Sequence, residues 1–311
     1  MALPNPPAHT DTRSAQPLPL PTLSVSIVVY HLDLAELERN LQTLQVACAH
    51  AKLPDVTLTL VDNSDHFASA EPEPAPNPNP HSNADALRAL ALRTGWHAAR
   101  VLSGHGNVGY GAGHNLAIHS TEAAAHLVLN PDIELDRNAL ASGLHTLAMT
   151  ATPAMPAMPA MPAVVLIGAV GRDRDGKPGY LSKRMPSVWT FFLRGFAPSW
   201  LKQRFHAQLA HYEYRDLPIN QPSDVVLVSG AFMLCRTAAL QAVGGFDERY
   251  FLHFEDLDLS LRLARQGRVV SDPGVTLIHH GGNSASRGLA HLRVFVRSGR
   301  RFFNTHGWRW F

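Results

Sequence analysis

Two periods alternate in the hydrophobic pattern along the first half of the chain. Short apolar runs rich in β-branched residues predict buried strands, and they lie at 24–30, 56–61, 98–102 and 127–129. Between these runs, apolar positions recur at the three- and four-residue spacing of a helix, over 33–49, 84–94 and 112–124. Strands and helices in this order predict an α/β fold, in which a Rossmann-like, mostly parallel sheet is flanked by helices.

In the second half of the chain, ionisable residues stand at the ends of predicted strands and helices. Residues 229–236 predict a strand entered through a turn of small residues, and 255–264 predict a helix after a glycine turn. Glu255, Asp256 and Asp258 fall in the first turn of that helix. A further predicted strand, 275–278, ends at His279 and His280.

Proline marks the organisation of the chain. Fifteen of the 23 prolines lie within 1–21, 72–80 and 153–162. They predict a disordered leader over 1–22 and surface insertions over 66–83 and 151–162, within one domain that spans 23–284. Residues 138–171 carry no charge, but proline at every third position breaks a helix and suits polyproline II, so no membrane span is predicted there.

Composition and charge narrow the classes of function. The hydrophobic fraction of 45% indicates a globular chain. Lys+Arg 27 against Asp+Glu 25 leaves a net charge of +2, which does not favour a nucleic-acid partner. Two cysteines outside any CxxC motif fit a reducing compartment, and the first residues lack the regions of a signal peptide. We therefore expect a cytoplasmic protein.

Several polar residues stand where parallel strands end, the edge at which α/β sheets bind ligands. Tyr30, Asp62 and Asp132 are among them, with a glycine-rich loop after Ser103. One carboxylate can accept hydrogen bonds from a nucleoside, and another can hold a hard divalent cation. Helix capping is the alternative for both aspartates. Two aspartates and a glycine-rich loop at one edge of the sheet therefore predict a pocket for a nucleotide and a metal ion.

The glycine-rich loop also permits a second interpretation. Gly104, Gly106 and Gly109 match the G-x-G-x-x-G dinucleotide fingerprint, with Asp132 downstream at a strand end. An NAD-dependent oxidoreductase or epimerase would have this pattern. However, the fingerprint normally occupies the first strand–helix turn, which has no glycine here, and the glycines continue to Gly113. These departures disfavour the NAD alternative.

The acids at 255–258 also have two interpretations. Acidic residues in a first turn complement the helix dipole, which would make them purely structural. Clustered carboxylates beside the aromatic stretch 250–254 would instead raise one another's pKa, which suits a general base.

Taken together, these segments resemble the family 2 glycosyltransferases, specifically the bacterial branch that includes rhamnosyltransferases of surface-polysaccharide assembly. The resemblance extends from about residue 24 to residue 308, apart from the Pro-rich insertions. Its elements are SIVVY, VDNSD, NVGYGAGHN at 107–115, LNPD at 129–132, SGAF at 229–232, the GFDE and FEDLD segments, and His279-x-x-Gly-x-Ser. The resemblance implies a GT-A fold, a single α/β domain with a nucleotide-binding half and a C-terminal acceptor-binding half.

The resemblance also implies roles for individual residues. Asp256 matches the catalytic base, and Glu255 is its neighbour. Asp132 matches the position of the family's metal-binding acid. The usual D-x-D motif is Asn130-Pro-Asp132 in this sequence, so only one of its two acids is present. His279, rather than His280, has the spacing of the second metal contact. The nucleotide-sugar contacts are Tyr30, Asp62, Asn107, Gly109, Tyr110, Asn115 and Asn130.

The implied reaction is inverting transfer of a sugar to a glycan or lipid-linked acceptor in bacterial surface-polysaccharide synthesis. Its cofactor would be a divalent metal, Mg²⁺ or Mn²⁺. The branch suggests dTDP-L-rhamnose as donor, although UDP- and GDP-sugars bind in similar pockets. A catalytically silent nucleotide-sugar-binding protein is a further alternative, which the full set of Asp62, Asp132, Asp256 and His279 disfavours.

The tail, 285–311, predicts a basic and aromatic C-terminal helix. It contains six arginines and no acid, interleaved with phenylalanine and tryptophan. Such a helix either packs on the domain by its apolar face or attaches peripherally to an anionic inner membrane surface. A second aromatic segment, 189–200, is expected to form a wall or lid that excludes water from the acceptor site.

Overall fold

The structure, a computed structural model, describes residues 22–30, 33–64, 83–149, 161–281 and 289–311. The predicted leader and both Pro-rich insertions lie almost wholly outside these ranges, as does Ser284 of the closing motif. Their predictions therefore stay predictions.

Strands alternate with helices in the first half of the chain. The strands are β1 (Leu23–Val29), β2 (Val56–Asp62), β3 (Arg100–Leu102), β4 (Ala125–Leu129), β5 (Ile133–Leu135), β6 (Val164–Arg172), β7 (Pro178–Gly179), β8 (Ser182–Lys183), β9 (Ser223–Asp224), β10 (Leu227–Val228), β11 (Phe232–Arg236) and β12 (Arg268–His279). The helices are α1 (Leu34–His50), α2 (Asn83–Arg93), α3 (Tyr110–Ile118), α4 (Ala139–Leu147), α5 (Val188–Gly195), α6 (Ser199–Arg204), α7 (His206–Tyr212), α8 (Thr237–Ala242), α9 (Glu255–Leu263) and α10 (Leu289–His306).

One mixed sheet forms the centre of the fold, in the order β3-β2-β1-β4-β11-β6-β12-β5. Neighbours from β3 to β4 are parallel, as are β6 and β12. β11 runs antiparallel to both β4 and β6, and β5 runs antiparallel to β12. The expected mostly parallel α/β sheet is confirmed. Because β11 is reversed, its amino end lies at the same edge as the carboxyl ends of β1, β2 and β4.

The strands and helices form where the apolar pattern predicts them. All seven residues of β1 are buried between parallel neighbours, as in a sheet covered on both faces. Asp33 caps α1, since its carboxylate accepts from the backbone N–H groups of Ala35 and Glu36 at 3.0 Å. The buried face of α1 carries Leu37, Leu41 and Leu44, which pack in the main core cluster with β1.

Helix α3 differs from its predicted bounds of 112–124. It begins two residues earlier, and its glycines serve close packing rather than a loose loop: a Cβ on Gly111 would lie 2.7 Å from Phe246 Cβ, and one on Gly113 would lie 2.9 Å from Val28 Cγ2. It ends at Ile118, after which Ser120 Oγ donates to the Leu116 and Ala117 carbonyls. A hydroxyl of this kind competes for helical hydrogen bonds.

Strand β12 is much longer than the predicted 275–278. The Asp272-Pro-Gly274 sequence forms an irregularity within one strand, where the register with β6 shifts between Ser271 and Thr276. Asp272 stabilises this bulge, since its carboxylate accepts from Gly274 N at 2.8 Å and from Thr146 Oγ1 at 2.6 Å.

None of the helices in the described ranges combines the length and the hydrophobicity that a membrane span needs.

A buried polar ladder lies inside the apolar core. Ser26 Oγ hydrogen-bonds His114 Nδ1 at 2.7 Å and His126 Nε2 at 2.8 Å. Burial lowers the pKa of His126 to about 3 and that of His114 well below its usual 6.5. Both imidazoles are therefore neutral in the folded protein at pH 7, and protonating either one destabilises the fold.

We expect the free energy of unfolding to fall as the pH drops from about 6.5 towards 3. A neutral buried histidine stabilises the fold above its unfolded pKa, and each one contributes a loss of up to about 1.4 kcal/mol per pH unit below it. Urea unfolding at pH 7.5, 6.0 and 5.0 measures this slope. His126→Gln should flatten it, whereas exposed His97→Gln should leave it unchanged. Equal slopes in wild type and His126→Gln would contradict the assignment.

Candidate functional site

The carboxyl ends of β1 and β2 form one side of the site. Val29 and Asp62 are paired across the two strands, so Tyr30 and Asp62 stand at the same edge. Tyr30 is 54% exposed, whereas Asp62 is 1% exposed. Asp62 Oδ1 accepts from Ser64 N at 2.9 Å, but no donor among the described residues reaches its buried Oδ2. That oxygen can accept a hydrogen bond from a bound nucleoside.

The glycine-rich loop contacts both this edge and the C-terminal half of the chain. Asn63 Nδ2 donates to Gly109 O at 2.9 Å, and Asn107 Oδ1 accepts from Gly109 N at 3.1 Å. Gly109 has a φ of 93°, and a Cβ there would lie 2.4 Å from Phe251 O. A side chain at this position is therefore excluded both by the backbone conformation and by the close contact. Asn107 thus shapes the loop, and Asn63 does so without having been predicted.

The peptide of Gly230 connects the two halves of the site. Tyr110 Oη donates to Gly230 O at 2.6 Å, and Gly230 N donates to Asp256 Oδ2 at 2.8 Å. Burial, together with the negative charges of Glu255 and Asp256, holds the pKa of Tyr110 well above its usual range. The phenol is therefore a permanent donor that positions Gly230, and through it Asp256.

Asn115 holds a turn instead of facing the edge. Its side chain donates to Phe246 O and to Glu248 Oε1, both at 2.9 Å, and accepts from Phe246 N at 2.8 Å. With a buried side chain and three hydrogen bonds to one turn, it is suited to positioning that turn rather than to contacting a sugar.

Asn130 and Asp132 lie in a turn that a buried asparagine fixes. Asn40 Nδ2, from the core face of α1, donates to Asn130 O and to Ile133 O, both at 2.8 Å. Asn40 was not predicted, and its signal was a polar residue between the apolar positions Leu37 and Leu41. Asn130 Oδ1 is buried without a hydrogen-bond partner among the described residues, so it can accept one from a ligand.

Strand β12 brings a histidine to Asp132. Ile133 and His279 are paired across β5 and β12, and His279 Nε2 lies 3.3 Å from Asp132 Oδ2. His280 instead contacts Glu134 Oε1 at 2.6 Å through Nε2. Of the two histidines, His279 is therefore the one whose side chain lies beside Asp132.

Asp132 and His279 fit a cation only as part of a larger ligand set. Within the described ranges, no group of three histidine, cysteine or acidic residues could hold a metal by itself. Mg²⁺ commonly takes one or two carboxylates and completes its shell with water and substrate phosphates. A carboxylate and an imidazole nitrogen 3.3 Å apart suit such a shared site.

The backbone before α9 is strained. His253 and Phe254 have φ values of 68° and 69°, so two consecutive non-glycine residues adopt the left-handed region. Each such residue costs of order 1–3 kcal/mol and persists only where its surroundings enforce it, often at functional sites. Here the strain lets α9 begin directly at Glu255 and Asp256.

Glu255, which is buried, and Asp256, which is half-buried, form a pair of neighbouring carboxyl groups. Burial, and then the charge of Asp256, holds the pKa of Glu255 well above its usual range. Burial also raises the pKa of Asp256, against the hydrogen bonds from Gly230 N and Leu257 N that favour its charged form. Glu255 Oε2 is buried without a partner among the described residues. The hydrogen bonds to Asp256 therefore favour a negative charge on that carboxyl group more than on Glu255.

Asp258 is separate from this pair. Its carboxylate contacts Arg262 Nε at 2.7 Å and His306 Nε2 at 2.8 Å, and it is buried. Asp258 thus joins α9 to the end of α10 and has a structural role.

A cavity of about 330 Å³ opens beside Asp256. Its wall includes Phe191 and Arg194 of α5 and Phe295 of α10. Part of the predicted aromatic wall 189–200 therefore lines the cavity, whereas Trp200 is 68% exposed.

Comparison with known sequences gives one partial similarity. No protein-family model matches the chain. A 139-residue stretch is 34% identical to the N-acetylglucosaminyl-diphospho-decaprenol L-rhamnosyltransferase of Mycobacterium tuberculosis, in strains CDC 1551 / Oshkosh and H37Rv. The alignment covers 42% of this chain and 43% of that relative.

Solved structures with a similar fold are glycosyltransferases. GalNAc-T7 with UDP, GalNAc and Mn²⁺ has a TM-score of 0.57 at 13% identity, over 92% of this chain and 48% of that one. The mannosyltransferase PcManGT of Pyrobaculum calidifontis with GDP-Man and Mn²⁺ has a TM-score of 0.52 at 14% identity, over 89% and 60%. The chain has the GT-A fold, and its expected similarity to glycosyltransferases of a rhamnosyltransferase branch is confirmed. The NAD-dependent alternative finds no support in these similarities.

Proposed function

We propose that this protein is an inverting glycosyltransferase that transfers a sugar, L-rhamnose from dTDP-L-rhamnose, to a lipid-linked or glycan acceptor. One observation carries the proposal: the Gly230 peptide holds the carboxylate of Asp256 against the loop that borders the nucleotide edge. The donor sugar and the lipid-linked acceptor are suggested by the name of the mycobacterial relative, and the fold supports a nucleotide-sugar donor.

Asp256 is the general base of the proposed reaction. It removes the proton from an acceptor hydroxyl as that oxygen bonds to the anomeric carbon and the bond from this carbon to the diphosphate oxygen breaks. A carboxylate with a raised pKa is a stronger base than an ordinary aspartate.

The residues of the nucleotide edge bind and orient the donor. Tyr30 and Asp62 would contact the nucleoside, and Asn130 would contact the donor near the diphosphate. Asp132 and His279 would hold the divalent cation together with diphosphate oxygens. When bound, such a cation supplies positive charge that stabilises the leaving diphosphate.

The outer face of α10 supports the expected contact with a membrane surface. Phe302 and Phe303 point into the core, as the packed-helix interpretation of the tail predicts. Leu292 and Val296, nearer the start of the helix, are exposed by 37% and 58% and lie beside a row of arginines at 293, 297 and 300. A helix with an apolar strip among cations suits an anionic lipid surface.

Exposed aromatic residues extend this surface beyond α10. Trp308, Trp310 and Phe311 follow the helix and are exposed by 45%, 59% and 92%. Val188 N and Trp189 N of α5 donate to Arg309 O and Trp310 O, which fixes the tail beside α5. Aromatic side chains of this kind are enriched at membrane interfaces. We therefore assign the tail both roles, packing and membrane contact.

Asp256→Asn should reduce transfer by about 10²–10⁴-fold, the usual contribution of a positioned base. Donor binding should be retained, because Tyr30, Asp62 and Asp132 remain. A transfer assay with dTDP-L-rhamnose, UDP-sugars and GDP-sugars measures the first, and calorimetry with dTDP measures the second.

Asp258→Asn is the matched control. It breaks a buried ion pair and should lower stability by about 3 kcal/mol, yet stay active below its melting temperature. Near-normal turnover of Asp256→Asn would remove this residue from the mechanism. Transfer from UDP- or GDP-sugars alone would overturn the rhamnose assignment.

Asp132→Ala should weaken dTDP binding and abolish its enhancement by Mn²⁺. Loss of a direct ligand should cost at least the roughly 10–100-fold that outer-shell partners of metals cost. Calorimetric titration of dTDP with and without Mn²⁺ measures the effect without requiring turnover. His279→Ala should act in the same direction, whereas His280→Ala should retain the Mn²⁺ response. An unchanged response in Asp132→Ala would exclude this metal site.

Charge reversal on α10 should reduce membrane binding. Each arginine near an anionic surface contributes about 1 kcal/mol, so Arg293→Glu with Arg297→Glu should weaken co-sedimentation with phosphatidylglycerol vesicles at least about tenfold. The control pair Arg88→Glu with Arg265→Glu alters exposed arginines outside α10. Equal losses in both pairs, or no preference for anionic over neutral vesicles, would contradict this surface.

A further inference from the structure

The cavity beside Asp256 has a cationic wall that the proposed reaction does not use. Lys183 of β8 and Arg194 of α5 line it together with Tyr180 and Tyr212. The cavity volume of about 330 Å³ is near the lower end of the roughly 300–1,000 Å³ found for small-molecule pockets. The carboxylate of Asp256 and the cationic side chains of Lys183 and Arg194 therefore border a space suited to a small polar ligand.

Lys183 is held inside this wall by its neighbours. Its ammonium lies 6.0 Å from the Tyr180 ring centroid and 5.7 Å from that of Tyr212, and it donates to Tyr180 O. Burial, reinforced by Arg194 and Arg215, lowers the pKa of Lys183 to about 7. An anion bound in the cavity would oppose both effects and favour the charged ammonium.

Lys183 and Arg194 are the cationic side chains of the cavity lining among the described residues. Glu213 is an acid that contacts this wall, at 3.8 Å from Arg194 and 2.6 Å from Arg215, which lies outside the lining. Arg194 also lies 5.5 Å from the Tyr212 ring centroid. The other titratable groups of the lining are the acids Glu255 and Asp256, the imidazole of His253 and the phenols of Tyr180 and Tyr212.

The residues assigned to the donor are not part of this wall. Within the described chain, the cavity lining includes Ser229, Glu255 and Asp256, but not Tyr30, Asp62 or Asp132. The cationic wall therefore shares the cavity with Asp256 but with none of these three donor residues. An anionic group on the cavity side belongs to the acceptor rather than to the nucleotide.

We propose that Lys183 and Arg194 bind a phosphate group attached to the acceptor sugar, whose free hydroxyl lies at Asp256. The inference rests on the proposed glycosyltransferase function and specifies its acceptor as a sugar phosphate or sugar diphosphate ester. Arginine binds phosphate oxygens in a bidentate fork and lysine binds them as a point charge. The aromatic rings of Tyr180 and Tyr212 hold the two cations in place.

Matched acceptors test this specificity. One probe is a short-chain alkyl N-acetylglucosaminyl diphosphate, and the other is the same alkyl N-acetylglucosaminide without phosphate. Wild type should have a KM at least about tenfold lower for the diphosphate, the factor expected from one charge-assisted hydrogen bond. Lys183→Met and Arg194→Gln should remove that advantage while kcat and the donor KM stay unchanged. Lys177→Met, at an exposed ion pair with Asp175, is the control.

Chemical labelling gives a readout that does not require turnover. Because its pKa is about 7, Lys183 should react with an amine reagent at pH 7.5, and mass spectrometry follows the modified residue. The sugar diphosphate should protect Lys183, whereas dTDP and phosphatidylglycerol vesicles should not.

The outcomes separate the inference from the function on which it rests. Equal KM values for the two acceptors, or protection by dTDP or by the vesicles as strong as that by the sugar diphosphate, would overturn the phosphate assignment while leaving glycosyl transfer intact. Failure to transfer to either acceptor from any donor would contradict the proposed function. In that case, labelling still decides whether Lys183 binds a sugar diphosphate.

Discussion

The peptide of Gly230 is the contact on which the arrangement of the site depends. Its carbonyl accepts from Tyr110 of the glycine-rich loop, and its N–H donates to Asp256 at the start of α9. A Cβ at this position would lie 3.2 Å from the Tyr110 ring and 3.4 Å from Asp256 Cβ, so a side chain there would force the Tyr110 ring to shift by a few tenths of an ångström. The backbone of this one residue therefore sets the distance between the glycine-rich loop and the carboxylate of Asp256, the proposed general base.

Several unfavourable features are concentrated around this peptide. Two non-glycine residues adopt left-handed backbone conformations before α9, and two carboxyl groups, of buried Glu255 and half-buried Asp256, follow side by side immediately after them. Such features destabilise a fold unless the surrounding structure enforces them. Here the enforcement comes from the aromatic cluster of Tyr250, Phe254 and Phe302 and from the ion pair of Asp258 with Arg262. The strain thus places a basic carboxylate at the cavity.

Helix α10 relates the cavity to the outer surface of the protein. Phe295 lines the cavity, and Phe302 packs against Phe254 with ring centroids 5.5 Å apart. Leu292 and Val296, nearer the start of the helix, are exposed among arginines. A lipid-linked acceptor bound at such a surface would lie against the same helix that lines the cavity. Packing and membrane contact are compatible because different residues along one amphipathic helix serve them.

The sequence by itself determined the α/β class, the positions of the main strands and the residues at their carboxyl ends. These features are local, because a run of apolar residues is enough to predict a buried strand. Asp33, Asp62 and Asp132 stand next to such runs. Local patterns failed where glycine or proline had a packing role, as in α3 and in the bulge of β12. The motif resemblance further singled out Asp256 and His279 before any contact was known.

Tertiary structure alone decided which residues meet. The reversal of β11 brings Gly230 to the edge formed by β1, β2 and β4, and it depends on pairing between segments about a hundred residues apart. The same is true of Asn40 beneath the Asp132 turn, of Asn115 on the Phe246 turn, and of Lys183 beside Asp256. Their roles depend on hydrogen bonds and charges across sequence-distant segments, which no local periodicity encodes because the partner of each polar group is chosen by strand order and packing.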